Sequence, residues 1–197
     1  VMGLLNHVFD ADAEHGAAGV TALLHKGRIV LIADTLVHEW PEAEDLANIA
    51  ERAADVARDF GLEPRVAFVS FSTFGYPVSE RAEKLALAPK VLDARGVDFE
   101  YEGEMTVDVA LNTKAQAHYP FSRLTGPANI LVVPARHSAS ISVKLMQEMA
   151  GATVIGPILS GVDQSIQICA SVSTATDILN MAVLAACKAS EGTSRHG

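Results

Sequence analysis

Apolar positions along the chain fall into short runs and into longer stretches with a helical period. Val20 to Leu24 and Arg28 to Ala33 are two apolar runs on either side of Lys26-Gly27, a pair suited to a tight hairpin turn. Pro41 stands where a helix can begin, because its missing N–H is not needed in a first turn. Behind it Leu46, Ile49, Ala50, Ala53, Val56, Ala57 and Phe60 recur at helical spacing. Glu42, Glu44 and Asp45 lie at the positive end of that helix's dipole, and Gly61 offers a left-handed stop. Arg65 to Phe71 is a short apolar run that predicts a buried strand, followed by a loop over residues 72–77. Ser79 to Ala94 has a helical composition that Pro89 is expected to kink or split, with Gly96 as its stop. Val97 to Tyr101 predicts a strand, Thr106 to Leu111 a short helix, Asn129 to Val133 a strand, and Ser138 to Met149 a helix closed by Gly151. Thr153 to Ile155 and Ile166 to Ala170 predict further strands. Asp177 to Lys188 lies in a final apolar helix, and Glu191 to Gly197 is expected to be a disordered tail.

From Arg65 onward strands alternate with helices. That order predicts an α/β layer structure with a mostly parallel sheet and, by right-handed crossovers, helices on both faces. Composition adds that 49% of the 197 residues are hydrophobic but only 6% aromatic, so Ala, Val, Ile and Leu must fill the core. A formal charge of -9 argues against an exposed nucleic-acid-binding face, while leaving room for one local basic pocket. There is no signal peptide and no apolar run long enough to span a bilayer, which points to a cytoplasmic, reducing setting without membrane contact. Cys169 and Cys187 have no metal or redox spacing and are expected to be buried structural thiols. Val1-Met2-Gly3 is not an ordinary initiator, so the chain is expected to be a piece of a longer polypeptide.

Open α/β sheets place ligands in the loops after strand C-terminal ends. Four such stretches carry candidate chemistry: Ser70, Ser72 and Thr73; Gly103-Glu104-Met105 with Asp108; Arg136, His137, Ser138 and Ser140; and Gly156 to Gly161. Ser138 beside Arg136 at a helix start suits an anion or an amide, or else Ser138 simply caps the helix. Glu104 and Asp108 are either ligand groups or first-turn partners of a helix dipole. His137 is either an acid–base group or a surface residue. The seven histidines show no ligand spacing, so no metal site is expected. Neither a glycine-rich phosphate loop nor a nucleophile elbow is present.

Several stretches in order carry a family likeness. They are Ala33-Asp34-Thr35, Glu63 to Ala67, Ser70 to Gly75, Gly103-Glu104-Met105 with Asp108 to Leu111, Gly126 to Leu131, Lys144-Leu145, Gly156 to Gly161, and Asp177 to Asn180. From about Arg28 to Ala186 the chain resembles the phosphate acetyl/butyryl transferase family. Leu92 to Tyr101, Tyr119-Pro120-Phe121 and Arg136 to Ser142 resemble the phosphotransacetylase-like C-terminal domain of bacterial NADP-dependent hybrid malic enzymes. The resemblance implies an isocitrate/isopropylmalate dehydrogenase-like architecture of two subdomains, truncated at the N-terminus. Residues 1–40 would be the remainder of the first subdomain and the crossover, 41–190 the second subdomain, and 191–197 the tail.

It further implies an acetyl-CoA-sensing regulatory domain and a homodimer or larger homo-oligomer. Acetyl-CoA or CoA would be the effector, with Ser72, Thr73, Glu104, Arg136, Ser138, Ser140 and Lys144 as contacts. NADP and a divalent metal would belong to a malic-enzyme domain preceding this one. The chain departs from the family in two loops. Val37-His38-Glu39-Trp40-Pro41-Glu42-Ala43 replaces a Val-Asn and Pro-x-Ala pattern, and Gly161-Val162-Asp163-Gln164-Ser165 replaces Gly-Leu-x-Lys-Pro. The family's catalytic Asp falls on Asp177, but its Ser-Arg pair falls on Ala170 and Ser171, so no acetyl transfer to phosphate is expected. The alternatives are an active phosphate acetyltransferase and a purely structural dimerisation module.

Overall fold

The structure is a computed structural model that describes residues 16–162, 165–169, 171 and 173–194. Its elements in chain order are β1 (Ala18–His25), β2 (Arg28–Ala33), α1 (Ala43–Asp59), β3 (Arg65–Val69), α2 (Glu80–Arg95), β4 (Glu100–Met105), α3 (Val107–Leu111), α4 (Thr113–Gln116), β5 (Ile130–Val132), α5 (Arg136–Ala150), β6 (Thr153–Ser160) and α6 (Ala175–Ser194). The strands form one sheet in the order β4-β3-β5-β2-β1-β6. β4, β3, β5 and β2 are parallel to one another, while β1 runs antiparallel to both β2 and β6. The hairpin between β1 and β2 turns at Lys26 and Gly27, with φ of 48° and 74°. Positive φ at both central residues is what a turn matched to the strand twist requires.

Strand alternation divides the core in two. Leu31, Ala33, Val66, Phe68, Ile130 and Val132 point to the face covered by Leu46, Ile49, Ala50 and Ala53 of α1 and by Leu85, Ala88 and Leu92 of α2. Ile32, Ala67, Val69, Leu131 and Val133 point to the other face, against Val109 and Ala110 of α3 and Ala139, Val143 and Met146 of α5. Burial on both faces is why these strands read as continuous apolar runs, and it places helices on both sides of the sheet as expected. α1 is stopped at its start by a reciprocal cap, in which the Glu42 N–H donates to the Asp45 carboxylate at 2.9 Å.

Several boundaries differ from the sequence expectation, each for a tertiary reason. β3 ends at Val69, and Phe71 is 62% exposed. β4 occupies residues 100–105, not 97–101, so Gly103-Glu104-Met105 lies in a strand and not in a loop. Its charges hid it: Glu102 and Glu104 are buried and satisfied by hydrogen bonds from distant residues. α2 runs unbroken through Pro89, held by Leu85, Ala88 and Leu92, all buried on either side of the ring. β6 continues past Gly156-Pro157 to Ser160, because that dipeptide sits at a register shift opposite Val20 to Ala22 on an edge strand, where a missing N–H is tolerated.

No strand forms over residues 165–169. There the Gln167 side chain accepts from the Leu159 N–H at 2.9 Å, an interaction that hydropathy does not encode. Ala170 lies outside the described residues. α6 continues through Ser194 where a disordered tail was expected, and residues 195–197 lie outside the described residues. Cys169 and Cys187 are exposed and not buried, because the segments that carry them lie on the surface.

Gly103 lets β4 lie close against β3. Its φ is 154°, and a Cβ there would lie 2.7 Å from Phe68 Cβ and 2.8 Å from the Phe68 carbonyl oxygen. Gly103→Ala is expected to lower stability by about 1–3 kcal/mol through overpacking against the buried Phe68 of β3. The shift of the urea midpoint at unchanged slope measures it.

Candidate functional site

The larger cleft, about 630 Å³, opens at the C-terminal edge of the parallel strands, between the starts of α1, α2 and α5. Its floor is Val69, Val133, Leu46 and Leu85, and its walls are Trp40, Phe71 and Pro134. Ser70, Ser138, Ser142 and His137 supply the polar lining. At the rim, Lys84 Nζ donates to Glu42 Oε1 at 2.6 Å. Trp40 and His137 face one another with ring centroids 5.6 Å apart. α5 starts at Arg136, with Ala135 as an N-cap that makes no side-chain bond. Ser138 is therefore inside the first turn, facing the cleft, and is not the cap.

The smaller cleft, about 320 Å³, lies between α5, β6 and the start of α6. Ser140 and Lys144 of α5 line it opposite Asp177 of α6, with Thr21, Thr35, Cys169 and Ser173 between them. Asp177 Oδ2 accepts from the Thr174 N–H at 2.9 Å and from Thr174 Oγ1 at 2.8 Å, while the Asp177 N–H donates back to Thr174 Oγ1 at 3.2 Å. This is the reciprocal pattern of a helix-starting box. The Thr174 hydroxyl and N–H hold the Asp177 carboxyl below its ordinary value. Lys144 is the one basic side chain lining this cleft among the described residues. Ser171 is exposed and does not line it; Ala170 is outside the described residues.

Ser72, Thr73 and Glu104 belong to an internal network. The fully buried Ser72 donates to Glu104 Oε1 at 2.9 Å, and the Gly75 N–H donates to the same oxygen at 2.7 Å. Thr73 Oγ1 donates to Thr106 Oγ1 at 3.2 Å and accepts from the Thr106 N–H at 3.1 Å. Together these bonds stitch the loop after β3 to the end of β4, forming the support behind the larger cleft. Arg136 stands apart from both clefts: it donates to the Leu36 carbonyl at 3.5 Å and lies 4.0 Å from Glu39. Asp108 is exposed in the first turn of α3, and a hydrogen bond from Thr106 holds its carboxyl low. The seven sequence-derived binding residues thus distribute over two clefts, one loop contact and one buried network.

The residue that sequence reasoning passed over is Asp34. It is 2% exposed, yet its carboxylate collects the N–H groups of Gly19 at 2.9 Å, Leu36 at 2.8 Å, Val37 at 3.0 Å and His38 at 2.7 Å, and the His38 ring Nδ1 at 2.8 Å. Burial acts to raise its pKa, but the hydrogen bonds from His38, Leu36 and Val37 together outweigh it and hold the carboxyl below its ordinary value. Gly19 admits the loop: a Cβ there would lie 2.4 Å from Leu36 Cβ. In the sequence Asp34 is marked by its place directly after an apolar run and by the Ala33-Asp34-Thr35 stretch, but neither shows its donors: three lie two to four positions on in its own loop, and Gly19 lies fifteen positions back on β1.

Among the described residues no helix is long and apolar enough to cross a membrane, and no three His, Cys, Asp or Glu side chains are placed to hold a metal ion. The fold defines an α/β domain with a mixed sheet and helices on both of its faces. The sequence profile described as Phosphate acetyl/butaryl transferase matches residues 5–186, and the chain belongs to that family.

An NADP-dependent malic enzyme of Rhizobium meliloti is 52% identical over 90% of this chain and 23% of its own length. A phosphate acetyltransferase of Bacillus subtilis is 32% identical over 87% of this chain and 54% of its own length. In the solved structures, a phosphotransacetylase from Streptococcus pyogenes superposes with a TM-score of 0.87 at 28% identity, over 93% of this chain and 57% of that one. The chain therefore spans about a quarter of the malic enzyme and about half of these two transferases.

Two outcomes follow from the buried carboxylates. Glu104→Ala leaves Ser72 Oγ and the Gly75 N–H without their acceptor, and is expected to cost about 1–3 kcal/mol in urea unfolding, with Glu104→Gln costing less. For Asp34, the folded pKa lies below the unfolded value near 3.8. Its contribution is thus fully present above that value and is lost as pH falls through the folded pKa. Asp34→Asn is expected to lower stability at neutral pH and to flatten the acid limb of the urea midpoint between about pH 5 and about pH 2.

Proposed function

We propose that this chain is a regulatory, phosphotransacetylase-like domain of an NADP-dependent malic enzyme, one that binds acetyl-CoA or CoA without transferring the acetyl group. Oxidative decarboxylation of malate to pyruvate, with its NADP and divalent metal, belongs in this reading to a domain outside these residues. The higher identity to the malic enzyme than to the transferase supports the assignment.

The make-up of the Asp177 cleft carries the reading. When phosphate attacks a thioester, negative charge builds on the carbonyl oxygen while the incoming group is itself an anion. A preorganised cation at that point supplies much of the rate enhancement, and arginine suits it because its planar fork binds phosphate with two parallel bonds. Here the family's Arg position is Ser171, which is neutral and exposed, and Asp177 is engaged in starting α6. Lys144 remains as a point charge beside Ser140. Such a pair suits holding an anionic phosphate and lacks a clamp for the reaction. Ser138 on the larger cleft completes the ligand-facing set, Arg136 braces the loop before α1 through the Leu36 carbonyl, and Ser72, Thr73 and Glu104 act from behind as support.

Self-association belongs to the same reading. Ile141, Leu145 and Met149 form an exposed stripe of helical period on α5, at 67%, 58% and 80% exposure, and Ile178, Leu179 and Val183 are exposed on α6. Unpartnered apolar stripes on neighbouring helices fit a homodimer or a larger homo-oligomer. These stripes also favour the second reading, a dimerisation module without ligand.

Titration calorimetry of the complete malic enzyme with acetyl-CoA separates the two. Saturable binding weakened about 10-fold by Lys144→Ala supports the regulatory reading, by the loss of one charge-assisted bond. No heat with either acetyl-CoA or CoA leaves the dimerisation module. Formation of acetyl phosphate at turnovers on the order of 10 per second would overturn both in favour of an active transferase.

A further inference from the structure

The loop from Asp34 to Pro41 joins β2 to α1 and carries two features that the clefts do not use together. One is the contact of His38 Nδ1 with Asp34 at 2.8 Å, where Asp34 is buried and His38 retains 26% exposure. The other is Trp40, the single tryptophan of the chain, two residues further on. Trp40 is a wall of the larger cleft and faces His137 of α5. The loop is thus fastened at one end by a group that changes charge near neutral pH, and at the other it shapes a cleft.

We propose that His38 is a pH-dependent latch on this loop: as imidazolium it pairs with Asp34 and fixes Trp40 against His137 as a wall of the larger cleft, and as neutral imidazole it slackens that hold.

The surroundings set the direction. Asp34 contacts the ring directly, and Asp45 in the first turn of α1 adds a second negative charge. Glu39 follows in the chain, and Arg136 reaches toward it from α5 while donating to the Leu36 carbonyl. Glu42 at the start of α1 is already paired with Lys84 of α2. The Asp34 hydrogen bond raises the His38 pKa, burial opposes it, and the charges of Asp34 and Asp45 add to the rise. With the folded value above the ordinary 6.5, the contribution of the latch is fully present below 6.5 and is lost as pH rises through the folded value. Neutral imidazole still donates from Nδ1, and the backbone N–H groups of Leu36, Val37 and His38 keep their bonds to Asp34. The change is therefore a loosening of Trp40 and not unfolding of the domain.

Trp40 reports its own mobility. Acrylamide quenching of its fluorescence, measured on the full chain from about pH 5.5 to about pH 9, is set beside the NMR titration of the His38 ring. The quenching constant is expected to rise about two-fold with the midpoint of His38 itself. In His38→Gln and in His38→Asn it should stay at one value across the range. His137→Gln should change the emission intensity, since that ring touches Trp40, but keep the transition. A quenching constant that ignores the His38 titration, a transition that survives both His38 substitutions, or one abolished by His137→Gln alone, overturns the latch.

Discussion

The carboxylate of Asp34, buried at the end of β2, ties the loop that leads into α1 to the strand β1. It accepts the N–H of Gly19 on β1 and three successive N–H groups of its own loop, and this bends the chain away from the sheet edge. The bend carries Thr35 back against β1, where its N–H meets the Gly19 carbonyl at 2.9 Å and its hydroxyl accepts from Thr21 at 3.0 Å. Both threonines line the smaller cleft, and the same loop delivers Trp40 to the larger one. A single buried charge, stabilised by more donors than its desolvation costs, thereby sets the walls of both clefts.

Glu104 applies the same physics on the edge strand β4. Its carboxylate lies beneath the loop after β3 and accepts from Ser72 and Gly75, so that hydroxyl and that N–H find their acceptor within the protein. These carboxylates are internal caps for irregular backbone. The surfaces left to a ligand are those that the networks hold up: Ser138 and the aromatic walls on one side, Ser140 and Lys144 on the other. Both carboxylates are engaged inside the fold, and among the described residues Lys144 is the one basic side chain that lines the Asp177 cleft.

The hairpin at Lys26-Gly27 and the apolar spacing of α1 were legible because each depends on residues close in the chain. β4 was misplaced because its outward signal is charge. Glu102 is satisfied by Arg123 and Glu104 by Ser72, partners that lie 21 and 32 positions away. β6 was cut short because Gly156-Pro157 signals a turn, while its real setting is a register shift against β1. Ser138 looked like a cap from its neighbours alone, and only the start of α5 at Arg136 turned it toward a cleft.

By itself, the sequence determined that the domain is α/β, that helices cover both faces of a mostly parallel sheet, and to which family the chain belongs. These follow from hydrophobic period and from ordered motifs, which need only local residues and their order. The tertiary structure alone decided that β1 pairs with β6 on its other side, that Asp34 and Glu104 serve the fold from within, and that the candidate ligand residues divide between two clefts. Each of those outcomes depends on which segments meet in three dimensions, and contacts of that kind leave no period in a sequence.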